Sequence, residues 1–188
     1  MRRIFIGTLV VLTIALINGC ANRKITRVDP SETIDLSGRW NDSDSRLVSE
    51  EMIGDLLTSA WIPRYLKAND KRPVVVVGLV ENKSHEHINS ETFIKDVEKA
   101  IIRDGNIRLV VAGEKRNELR KERAEQQDYA SPETTKKWGK ELGADFILQG
   151  TINSIVDSYK KQKVVTYQID LQLTNIETNE VVWMGDKK

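Results

Sequence analysis

The sequence predicts an α+β protein: a single domain with a mixed, mostly antiparallel sheet of about five strands packed with helices. Three observations carry this. Val165, Tyr167, Ile169, Leu171 and Leu173 alternate with Thr166, Gln168, Asp170, Gln172 and Thr174, the period of two that gives a strand one dry and one wet face. Val74-Val75-Val76-Val77 follows Pro73 as an unbroken β-branched run, the pattern of a strand covered on both sides. Between them, Phe93, Val97, Ala100 and Ile101 recur at helical spacing. A body spanning residues 38–188 is long enough to bury roughly 70% of its surface, so a core forms without disulfides.

The N-terminus reads as an address. Met1-Arg2-Arg3 is basic, and Ile4 to Ile17 carries no charge. Fourteen residues rise only about 21 Å as a helix, short of a bilayer's roughly 30 Å core, so residues 1–19 are expected to be a signal peptide. Ile17-Asn18-Gly19-Cys20 resembles a bacterial lipobox. That resemblance implies cleavage before Cys20 and lipidation of Cys20 with palmitate-type acyl chains, several of which anchor a protein stably where one does not. Ala21, where an Asp would favour inner-membrane retention, implies the outer membrane, facing the periplasm. Loss of Arg2 and Arg3 turns the net charge of +1 into −1. Neither value gives a field for nucleic acid. Residues 20–37 lack sustained periodicity and read as a lipidated tether. Its 17 residues after Cys20 span about 23 Å as a coil and about 58 Å at full stretch.

Asp44-Ser45 opens a helical stripe: Leu47/Val48, Met52/Ile53, Leu56/Leu57, Ala60/Trp61. Pro63 ends or bends it. The strand from Val74 to Val80 follows, then a polar loop from Glu81. Ser90 is expected to cap the next helix, which Asp104-Gly105-Asn106 stops. Ile107 to Val111 is a short strand. Glu114 to Asp128 offers only Leu119 and Ala124 for burial. It therefore reads as a solvated helix held by pairs such as Arg120–Glu125. Ser131-Pro132 opens another helix running to Glu141, with Trp138 and Leu142 inward. Strands follow from Asp145 to Ile155 and from Val165 to Thr174. Glu177-Thr178-Asn179 then turns the chain into a hairpin strand, Val181 to Met184, with Asn179 able to take φ > 0.

Chemistry is sparse. One Cys excludes an intramolecular disulfide and any Cys-cluster metal site. The two His, His85 and His87, share one loop. They offer two ligands to zinc, or simply a solvated polar loop, and the expectation is no metal and no cofactor. The acids are interspersed with Lys and Arg, the composition of ion-paired surface rather than of paired catalytic carboxylates, so no enzyme is expected. Arg116, Arg120, Lys121 and Arg123 form either a solvated face or a protein-docking surface, their field cut by Glu114, Glu118, Glu122 and Glu125. Trp40 lies outside any periodic run and is either a staple of tether to domain or an interface anchor.

Five segments together carry a resemblance. They are Ser37-Gly38-Arg39-Trp40-Asn41-Asp42-Ser43-Asp44-Ser45-Arg46-Leu47-Val48; Val75-Val76-Val77-Gly78 with Asn82-Lys83-Ser84-His85-Glu86-His87-Ile88; Gly143-Ala144-Asp145-Phe146-Ile147-Leu148-Gln149-Gly150; and Leu173-Thr174-Asn175-Ile176-Glu177-Thr178-Asn179-Glu180-Val181-Val182-Trp183. In this order, over residues 37–188, the chain resembles the LpoB-type penicillin-binding protein activators, and more remotely the CsgG-type lipoproteins and the amino-terminal domain of TolB. The first resemblance implies an outer-membrane lipoprotein that binds a class A penicillin-binding protein and stimulates peptidoglycan synthesis by docking. The second implies a structural or transport-associated lipoprotein. Under the first, partner binding is expected at the Asn82–His87 loop (Asn82, His85, His87), at Arg116, Arg120 and Arg123, and at Trp40. Two features depart from the family pattern: a tether with one Pro in place of a long Pro-rich one, and Asn179 where Gly is usual.

Overall fold

The computed structural model describes residues 38–135 and 141–188. The signal sequence, Cys20, the whole of the tether and Trp138 lie outside these residues. Helix α1, Asp42–Thr58, starts two residues before the expected Asp44. Asn41 is its cap: its side chain accepts from the Ser43 and Asp44 N–H groups, and the Asp44 carboxylate accepts from the Asn41 N–H. This reciprocal pair satisfies donors that a helix end otherwise leaves open. The buried stripe is Ser45, Ser49, Met52, Ile53 and Leu56, while Leu47 and Ala60 face outward. Small serines win the inner positions because α1 lies against α3, Ser90–Asp104. There the Ser45 hydroxyl donates to Asp96 at 3.1 Å.

Pro63 neither ends nor bends the first helix. The chain breaks at Ser59–Ala60, and Pro63 sits in the first turn of a second helix, α2, Trp61–Asn69. A missing N–H costs nothing there, because first-turn donors have no intrahelical acceptor. α3 is capped by Asn89, not Ser90, and closes on Gly105 at φ 78, a conformation that glycine adopts without steric cost.

The sheet is mixed and five-stranded, in the order β2-β1-β3-β4-β5. β1, Val74–Asn82, lies parallel to β2, Arg108–Val110, and to β3, Phe146–Tyr159. β4, Gln162–Asn175, and β5, Val181–Lys187, add antiparallel pairs, which make up most of the paired length. Asp145 guides the start of β3: its carboxylate accepts from the Val74 N–H at 2.8 Å, and its own N–H donates back to the Val74 carbonyl. One face of the sheet carries Val75, Val77, Phe146, Leu148, Ile152, Ile169, Leu171, Leu173 and Trp183. These form a single core with Met52, Ile53, Leu56, Phe93, Val97 and Ile101 of the helices. The expected alternation holds: Ile169, Leu171 and Leu173 are buried, and the opposite face is a polar ladder in which Asn153 and Gln168 both donate to Asp170. Asn179 takes φ 60 in the last turn, as expected.

Two segments differ from expectation. Leu142 is exposed rather than inward, and Ser131–Thr135 forms a single hydrogen-bonded turn before the chain passes outside the described residues. β3 and β4 are each 14 residues long and remain paired to Tyr159↔Gln162 through a two-residue Lys160-Lys161 turn. β1 leaves β3 at Ile152, and β5 leaves β4 at Ile169. Beyond those points the hairpin is an arm with no strand on either side among the described residues.

Candidate docking surface

The expected site residues fall into two neighbourhoods. The first lies where the arm leaves the sheet. Asn82, at the end of β1, organises the loop that follows: its Nδ2 donates to the carbonyls of Glu86 and Ile88 at 2.8 and 3.2 Å, and its Oδ1 accepts from the Ser84 N–H and hydroxyl. The loop so formed carries His85 onto β3. The His85 N–H donates to Ser154 Oγ at 3.0 Å, and its Nδ1 lies within hydrogen-bond distance of the same hydroxyl, at 2.6 Å. Nε2 lies 3.6 Å from the Glu86 carboxylate, which also faces Arg39 at 3.9 Å. His87 is exposed.

Ser154 pairs across the ladder with Tyr167 of β4. The Tyr167 hydroxyl accepts from the Trp40 N–H at 3.2 Å, and the Trp40 ring stands edge-on to Tyr167 at 5.6 Å and to Phe93 at 6.4 Å. Burial, and then the nearby Glu86 carboxylate, raise the Tyr167 pKa above the usual phenol value, so the hydroxyl keeps its proton throughout the physiological range. Trp40 is half-buried and turned onto the core, the geometry of a staple. Ser, His and Glu thus stand in a row, as in hydrolases. Here, however, the serine oxygen already accepts a backbone N–H, and the carboxylate is beyond hydrogen-bond length and shared with Arg39. The row closes a latch: it ties Trp40 and the Asn82–His87 loop to the base of the arm.

The second neighbourhood is helix α4, Gly113–Tyr129, which buries none of its residues, as its composition predicts. Arg116 folds back so that its Nε donates to the Val111 carbonyl at 2.7 Å. Arg120 does not pair with Glu125. It grips both oxygens of Glu141 at 2.9 Å, and Arg123 donates to the same carboxylate at 2.6 Å. Arg120, then Arg123, hold the Glu141 pKa down to about 2. Lys121 rather than Arg120 pairs with Glu125, at 3.8 Å. The arginine stripe is therefore partly neutralised within the chain. Glu141 lies 18 and 21 residues from its partners, a separation no helical spacing rule reaches. Ser154, Glu86 and Tyr167 are likewise long-range partners with no local signature.

Among the described residues, no group of three His, Cys, Asp or Glu side chains could hold a metal ion, and no helix is long and apolar enough to cross a membrane. Cys20 lies outside the described residues.

A family model described as peptidoglycan-synthase activator LpoB matches residues 44–188. Among solved structures, the chain is similar to the LpoB C-terminal domain from Escherichia coli (16% identity, TM-score 0.43, covering 76% of this chain and 92% of that one). It is also similar to an NMR structure of E. coli LpoB (12%, 0.41, 90% and 84%) and to lipoprotein GNA1162 from Neisseria meningitidis (15%, 0.37, 61% and 80%). A search of curated protein sequences finds no match.

Proposed function

The chain belongs to the LpoB family of peptidoglycan-synthase activators, and from that premise we propose that it is an outer-membrane lipoprotein, acylated at Cys20, that docks on a class A penicillin-binding protein in the periplasm and speeds glycan synthesis. The observation that carries this is the span of the family match. Residues 44–188 run from the first turn of α1 to the C-terminal end of the chain, through every strand of the sheet. The Ile17-Asn18-Gly19-Cys20 motif supports the anchor.

Docking activates only by favouring the synthase's active conformation over its inactive one, and a tenfold preference corresponds to about 1.4 kcal/mol. The chain contributes binding and no reacting group. Asn82, His85, His87, Trp40 and the Arg116–Arg123 stripe are the proposed contact region, with Asn82, His85 and Trp40 acting mainly by holding its shape. The test is to add the purified chain to a class A synthase from the same organism and follow glycan polymerisation. Faster polymerisation with saturable binding is the expected result; no binding to any such synthase removes the reading. A mass shift matching acylated Cys20, absent in Cys20→Ala, tests the anchor.

A further inference from the structure

We propose that the β3–β4 arm, residues 155–166, is itself a docking element, made for an acidic protein surface with a shallow apolar pocket. This rests on the proposed function and deepens it: the surface belongs to the synthase.

The arm exposes what a solitary ribbon would normally hide. Cross-strand partners share a face, so Ile155, Val164 (opposite Asp157) and Tyr159 (opposite Gln162) lie together, on the face opposite the core residues Ile152 and Ile169. They are 63%, 62% and 70% exposed. A two-stranded ribbon alone is marginal in water. This one is fixed at its base on both strands, Ser154 by His85 and Tyr167 by Trp40. The latch thus presents the apolar face in one arrangement and lowers the ordering cost of binding.

Charge selects the occupant. Between residues 155 and 166 stand Lys160, Lys161 and Lys163 against the one acid, Asp157, in a domain otherwise close to neutral. Lysines on free edges discourage strand-to-strand aggregation, but that role does not call for Ile155, Val164 and Tyr159 in the open. A second copy of the chain would bring the same lysines face to face. A bilayer would have to take Asp157 along with its apolar neighbours, at a desolvation cost. A protein surface with acids around a pocket meets all the groups at once: Tyr159 as the buried anchor, the lysines at the rim.

The experiment uses the full chain in detergent and a class A synthase from the same organism, with binding followed by surface plasmon resonance at two salt concentrations. Circular dichroism confirms that each variant is folded, which the exposure of these positions favours. Tyr159→Ala should raise Kd about tenfold or more, mainly through faster dissociation, and Tyr159→Phe should largely retain binding. Lys160→Glu with Lys161→Glu and Lys163→Glu should slow association and abolish its salt dependence. If the wild-type chain binds and every arm variant binds equally well, the arm proposal is overturned and the proposed function stands. If the wild-type chain does not bind, both fall. If the variants keep synthase binding but lose co-sedimentation with phosphatidylglycerol vesicles, the arm is a membrane element and the proposal is overturned.

Discussion

β3 and β4 are two different objects on either side of the Ser154–Tyr167 pair. From Phe146 to Ile152, β3 has β1 on one edge and β4 on the other, and from Ile169 to Thr174, β4 lies between β3 and β5. Alternate residues there are fully buried beneath α1 and α3. Past the pair, the same strands continue the same ladder with no outer neighbour among the described residues, and most of their apolar side chains face solvent. The backbone pairing is equal in both halves, so it cannot be what distinguishes them. What differs is the covering, and that divides the labour: the rooted half holds the fold together and the arm is left free to meet something else.

Stability measurements can break this division. The largest effect is expected in the rooted half. Leu171→Ala removes a fully buried side chain and should cost about 2–5 kcal/mol in urea unfolding, whereas Val164→Ser in the arm should stay within about 0.5 kcal/mol. A comparable loss at Val164 would mean that the arm is packed rather than projecting. Next comes the latch. Trp40→Ala removes the N-terminal staple's ring from between Tyr167 and Phe93, and should cost about 1–3 kcal/mol, less than a fully buried aromatic. It should also speed amide exchange in residues 155–166 more than in residues 146–152. Asn41→Ala removes an N-cap and half of a capping box, for about 1 kcal/mol.

The smallest effect is expected at Glu141. Its pKa of about 2 lies below that of a free Glu, so the pairing with Arg120 and Arg123 contributes fully above roughly pH 4.3, the unfolded value, and fades as the pH falls towards 2. The group is exposed, so added salt should weaken the effect and move the carboxyl titration, followed by NMR, upwards. A midpoint near 4 at low salt would show that the arginines are free.

The contrast between the halves also marks how far the sequence is legible. The rooted half announces itself: strict alternation from Val165 to Thr174 and the valine run from Val74 are local patterns produced by burial, and they read correctly. The arm does not. Its turn is Lys160-Lys161, with Lys160 at φ 55, and carries none of the Gly or Asn chemistry that marks a tight hairpin. Residues 156–159 and 162–164 therefore lay outside the expected strands. Pro63 misleads for a related reason: a proline looks the same from sequence whether it stops one helix or begins another. In the candidate site, Trp40, Asn82 and His85 stood out as residues, but their roles come from Ser154, Glu86 and Tyr167, partners that only the fold brings near. The same holds for Arg120 and Arg123, whose acid is Glu141 and not a neighbour on the helix.

The most direct test of the division is hydrogen exchange on the full chain, with and without the class A synthase. Slower exchange across residues 155–166 on complex formation, with residues 146–152 unchanged, is the result expected of a docking arm on a rooted sheet. A bound synthase that leaves the arm's exchange untouched would contradict it.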